Sequence, residues 1–80
     1  MRYLATFYTH FAAMTFYRDL ASRGLEGRMM PVPRRLSASC GTCVSFESGG
    51  DFAPLLVEDT EEVFRVEEND FVCVYKHQEC

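Results

Sequence analysis

Apolar and polar positions change rhythm several times along this chain. Residues 3–8 form an aromatic and apolar run of strand length. Thr9 is placed to cap a helix, and within residues 10–23 Phe11, Met14, Leu20 and Ala21, with Ala13 and Tyr17 nearby, recur at roughly helical spacing. Gly24 follows where helices commonly stop. Gly27-Arg28-Met29-Met30-Pro31-Val32 reads as a second strand. Pro31 puts that strand at a sheet edge, because proline has no N–H to give to a central ladder. Residues 33–39 are a polar, basic loop, residues 42–47 alternate as a third strand, and Ser48-Gly49-Gly50 is a turn. Asp51 is placed to cap a second helix reaching about Glu58, with Pro54 tolerated in its first turn. Residues 62–67 and 71–76 read as two further strands, with Asn69-Asp70 as the hairpin turn between them.

The predicted order is β-α-β-β-α-β with one extra C-terminal strand, which is a ferredoxin-like α+β sandwich in a single domain spanning residues 1–80. Its first four strands would lie in the order 4-1-3-2, with the first antiparallel to the third. The loop between the second and third strands then emerges beside the start of the first helix, near Thr9 and His10. If the last strand is a hairpin partner of the fourth, the tail His77-Gln78-Glu79-Cys80 returns to that same end. If residues 71–76 are themselves the fourth strand, the tail ends at the opposite pole.

Eighty residues allow one domain. A chain of this size buries only about 60% of its unfolded surface, so its stability is thin. A formal charge of −4 argues against nucleic acid as a partner, since phosphate binding needs a basic footprint. No apolar run reaches the ~20 residues that span a membrane, and the N-terminal apolar stretch is too short and interrupted for a secretory signal. The expected location is therefore the cytoplasm, where thiols stay reduced. Four cysteines there read as thiol chemistry or metal ligation before they read as disulfides.

Cys40-Gly41-Thr42-Cys43 is a C-x-x-C. Cysteine becomes a nucleophile as its thiolate, which cationic side chains and helix N-termini favour. Arg34 and Arg35 precede the pair, His10 is expected nearby, and Gly41 permits close backbone approach to a bound group. Dithiol oxidoreductases of the thioredoxin type place such a pair at the start of a helix. Here it runs into a strand, which argues against that class. Plain alternatives stand beside these readings: Cys43 as a small buried strand residue, Arg34 and Arg35 as a solvated loop, and His10 as an ordinary first-turn residue. Cys73, flanked by Val72 and Val74, reads as a strand residue. The acidic residues between Glu58 and Glu68 read as a solvated face.

Three short elements keep their order and spacing: Thr6-Phe7, then Pro31-Val32-Pro33-Arg34, then Ser37-Ala38-Ser39-Cys40-Gly41. In these the chain resembles the small selenium/sulfur carrier-like domains over about residues 2–47. The resemblance implies a ferredoxin-like fold. It also implies a carrier or accessory protein, more than a stand-alone enzyme, that holds sulfur or selenium on a cysteine as a persulfide or selenosulfide. Its partners would be donor and acceptor proteins. Only Cys40 matches the family cysteine; Cys43, Cys73 and Cys80 lie outside the pattern. In that role Arg34 and the helix amides would stabilise the Cys40 anion, His10 would exchange a proton, and Cys43 would resolve the loaded atom by forming a disulfide.

Two other readings belong to different classes. Cys40, Cys43, His77 and Cys80 form a Cys₃His set with zinc-compatible spacing, so zinc is the one cofactor the sequence raises. A non-catalytic interaction or regulatory domain is the other, and its exposed edge strand makes a homo-oligomer plausible.

Overall fold

A computed structural model describes residues 1–77 of the chain. It is an α+β domain with one α-helix packed on a five-stranded antiparallel sheet. The strands are β1 (Arg2–Phe7), β2 (Gly27–Pro31), β3 (Thr42–Glu47), β4 (Thr60–Glu67) and β5 (Asp70–Lys76), and the helix is α1 (His10–Ser22). The order across the sheet is β2-β3-β1-β4-β5. The first four strands thus take the expected relative order, compatible with a ferredoxin-like arrangement, and β5 adds a strand outside β4 as its hairpin partner.

The central strand decides the packing. β1 is paired on both sides, so consecutive side chains are buried on opposite faces. Tyr3, Ala5 and Phe7 join Phe16, Leu20, Val44, Phe46 and Val63 in the main core beneath α1. Leu4 joins Cys43 and Phe64 in a second cluster on the other face.

Thr9 caps α1 as expected, its hydroxyl accepting from the Ala12 amide at 3.0 Å. The helix ends in a Schellman turn: Gly24 takes φ +74°, its amide bonds the Ala21 carbonyl, and the Leu25 amide bonds that of Leu20. The face of α1 that packs differs from the expected one. Ala12, Ala13, Phe16 and Leu20 are buried, whereas Phe11 is 78% exposed and Tyr17 39%. The aromatic residues of the helix fall on both sides of it, and the small Ala12 and Ala13 are what allow it to lie close to the sheet.

The second predicted helix does not form. Residues 53–55 make a single 3-10 turn instead. Pro54 sits within it, Leu55 is its one buried residue, and Asp59 adopts a left-handed φ of 71° just before β4. So short a segment offers too little propagation to offset the cost of helix nucleation. The chain covers that part of the core with Phe52, Leu56 and Val57, which flank the 3-10 turn. The hairpin turn also lies one residue earlier than expected, at Glu68-Asn69, with Asp70 already paired to Glu67.

No helix among the described residues is long and apolar enough to cross a membrane.

Phe16 is fully buried, with Phe7 and Phe46 ring centroids each 5.2 Å away. Phe16→Ala is expected to lower unfolding free energy by about 3–5 kcal/mol. In a domain of this size that removes most of the stability, and urea unfolding followed by far-UV circular dichroism reads it directly.

Candidate functional site

The C-x-x-C stands at the pole where β1 ends and α1 begins. Cys43 is the second residue of β3, and its register partner on β1 is Thr6. That places its side chain on the face opposite α1, fully buried against Leu4 and Phe64, with Sγ 3.6 Å from the Pro31 carbonyl oxygen. Burial pushes its thiol up to about 11, and the neighbouring Cys40 charge adds to the rise. Cys40 precedes the strand and is half-buried. The pair therefore consists of a protonated interior thiol and a partly accessible one.

Cys40 belongs to a loop of residues 32–41 whose ends meet: the Val32 amide bonds the Gly41 carbonyl at 3.0 Å. Compact surface loops with joined ends are commonly functional. This one lies over the second face of the sheet. Val32 and Leu36 pack on the Leu4–Cys43–Phe64 cluster. Two polar anchors hold it down. The Glu61 carboxylate accepts from both the Ser39 amide, at 3.0 Å, and the Ser39 hydroxyl, at 3.3 Å. Arg35 donates to the Asn69 carbonyl at 2.8 Å, pairs with Asp70 at 3.2 Å and lies over the Phe71 ring.

The sequence-predicted residues divide accordingly. His10 does reach the loop's end, with Nδ1 3.3 Å from the Thr42 hydroxyl. Gly41 closes the loop base. His77 returns to the same pole: its amide bonds the Glu61 carbonyl, and its ring lies edge-on to Tyr8 at 5.7 Å. Arg34 is exposed and has no ion pair among the described residues. Arg35 is not beside the thiol. Its anchors lie at the hairpin end of β4, whereas Ser39 is held at the beginning of that strand, about 20 Å away at strand rise. Its described contacts, with Asn69, Asp70 and Phe71, fasten the loop. Of the zinc set, Cys80 lies outside the described residues, and among those described no group of three or more His, Cys, Asp or Glu side chains is gathered to hold a metal.

Glu61 is the residue that sequence reading missed. It looked like one of several acids on a solvated face. What separates it from the others is its place at the start of β4, beside the pole where β1 ends. A surface pocket of about 320 Å³ lies at the other pole, lined by Arg2, Arg28, Glu26 and Glu47, whose charges cancel. Another, of about 120 Å³, is lined by Phe11, Val57 and Asp59. Cys40 lines neither.

The chain belongs to the family described as Putative Se/S carrier protein-like, whose model matches residues 2–51. No curated protein and no solved structure matches the chain.

Two outcomes test this geometry. In native protein iodoacetamide is expected to alkylate Cys40 and spare Cys43 until the chain is unfolded, as peptide mass mapping would show. The folded protein also holds the Cys43 proton to about pH 11, while an unfolded chain releases it near 9.0. The unfolded state thus binds fewer protons in that window, so stability falls as pH rises through it. Cys43→Ala should flatten that slope in urea midpoints measured across the window. Separately, Glu61→Ala removes two hydrogen bonds to a charged acceptor at a partly exposed site. Discounted for solvent, about 1 kcal/mol of local stability is lost. Amide exchange at residues 39–41 should quicken roughly fivefold, and alkylation of Cys40 should quicken with it.

Proposed function

We propose that the protein carries a sulfur or selenium atom on Cys40 between a donor and an acceptor protein. The observation that carries this reading is the placement of Cys40. It is a part-exposed thiol on an anchored loop at one pole, within the family-matched segment. Cys40 lines neither of the two pockets described above, and a part-exposed surface thiol is within reach of another protein's reactive group.

In the loading step the Cys40 thiolate attacks the outer sulfur of a donor persulfide. A new sulfur–sulfur bond forms at Cys40 as the donor's own sulfur–sulfur bond breaks. The donor cysteine leaves as a thiolate. No net oxidation occurs, because the zero-valent sulfur only changes owner. Delivery repeats the exchange, with an acceptor nucleophile attacking the outer atom. A selenium atom bound in a selenosulfide would follow the same course. His10, at the loop's end, is the nearby proton carrier, and Arg34, in the same loop as Cys40, is an exposed cation.

The role of Cys43 differs from the resolving thiol suggested by its spacing. Attack on loaded Cys40 would release the cargo as sulfide and leave a Cys40–Cys43 disulfide. That attack needs the Cys43 thiolate, which burial suppresses at neutral pH. On this reading Cys43 keeps the carrier from discharging itself.

Incubation with a persulfide donor followed by intact mass measurement should show a gain of one sulfur atom. The adduct should be lost in Cys40→Ser and retained in Cys80→Ser and Cys43→Ala. Absence of any adduct with every donor tried overturns the carrier reading.

A further inference from the structure

Phe11 is the most exposed large apolar residue among those described, at 78%. It stands in the first turn of α1, on the helix side away from Ala13, Phe16 and Leu20. It forms one wall of the groove of about 120 Å³ that runs over Ala12 and Thr15 to Val57, Glu58 and Asp59. The facing wall is pinned by hydrogen bonds. The buried Thr60 hydroxyl donates to the Val57 carbonyl at 2.7 Å and accepts from the Val57 amide at 3.1 Å. The Asp59 carbonyl accepts from the Tyr8 amide at 2.9 Å. A groove whose walls are already ordered loses little further entropy when it is filled.

Size and charge together select the occupant. Sites for small molecules commonly enclose about 300–1,000 Å³. This groove is too small for that and fits one apolar side chain of another protein. Glu58 and Asp59 are exposed beside it, and neither enters an ion pair among the described residues. Lys or Arg next to the inserted side chain is the complementary charge.

The groove shares the pole of Cys40. His10, next to Phe11, has Nδ1 3.3 Å from the hydroxyl of Thr42, two residues after Cys40. Thr60, next to Asp59, pairs with Phe7 where β1 ends. An interface of ordinary size covers about 800 Å² per partner, a patch roughly 30 Å across. The whole domain measures 29 × 28 × 25 Å. A protein seated on Phe11 therefore extends over the end of the Cys40 loop.

We propose that the donor protein docks in this groove. It seats an apolar side chain between Phe11 and Val57 and sets Lys or Arg against Glu58 and Asp59, which brings its persulfide to Cys40. The inference rests on the carrier reading and names the surface by which that reading selects its partner. The bond changes are those of loading: a sulfur–sulfur bond forms at Cys40, the donor's breaks, and the donor cysteine leaves as a thiolate.

Two kinds of donor separate docking from chemistry. Loading of Cys40 is followed by timed intact mass, with a panel of persulfide-bearing cysteine desulfurases and with glutathione persulfide. The fastest protein donor is expected to outpace glutathione persulfide at equal concentration. Phe11→Ser and Glu58→Lys should each slow that donor about tenfold and leave loading from glutathione persulfide no slower. Arg28→Asp, at the other pole, should change neither. Added salt should slow protein loading of the unaltered chain more than that of Glu58→Lys. Three results overturn the docking proposal while the carrier reading stands: no protein donor outpaces glutathione persulfide, both variants load from the protein donor as fast as the unaltered chain, or Phe11→Ser slows both kinds of donor alike. No adduct from either kind of donor overturns both readings together.

Discussion

The pairing of Thr6 with Cys43 across β1 and β3 is the contact on which the rest depends. Strand side chains alternate between faces, so this register assigns every residue of both strands to one core or the other. It sends Tyr3, Ala5, Phe7, Val44 and Phe46 under α1, and Leu4 and Cys43 to the far side. A slip of one residue would carry Cys43 into the aromatic core and bring Val44 out beneath the loop. The register is strongly held, because both faces are apolar and neither pattern fits the other side. The chemical identity of Cys43 as an interior, protonated thiol is thus a consequence of strand pairing and owes nothing to a dedicated site.

The two cysteines of one short motif are separated by their surroundings. The chain turns from loop to strand between them, so Cys40 keeps contact with solvent while Cys43 loses it. In a C-x-x-C at the start of a helix the first sulfur gains from the helix N-terminus. Here the strand geometry gives the second sulfur desolvation and no compensating charge. That difference turns a familiar redox spacing into one part-exposed thiol and one buried neighbour.

Much of the fold was legible because the chain states it locally. Thr9 and Gly24 mark the ends of α1 by capping chemistry. The β-rich run of residues 42–47 carries its own period, and Pro31 announces an edge. What was not legible depended on distant contacts. The helix predicted after Asp51 had a cap and apolar residues. It lacked the length to outlast its proline, and packing of Phe52 and Leu56 served the core equally well. The phase of α1 misled because Phe11 and Tyr17 look like core residues, while the close approach of α1 to the sheet rewards the alanines. Cys40 itself was legible from its flanking elements. The polar anchors of its loop were not, since nothing local distinguishes Glu61 from Glu62 or ties Arg35 to Asp70.

Those anchors change how the two halves of the chain relate. The family match ends at residue 51, and the thiol, its loop and the buried Cys43 all lie within it. Yet the groups that fasten the loop lie beyond it: Glu61 at the start of β4, Phe64 beneath Leu36, and Asp70 and Phe71 at the hairpin. A loop with closed ends still has internal freedom, and ordering it costs conformational entropy that its own few contacts cannot offset. The β4–β5 hairpin supplies the missing contacts at two points about a strand's length apart. The candidate thiol and the contacts that fasten its loop are therefore carried by different halves of the sequence.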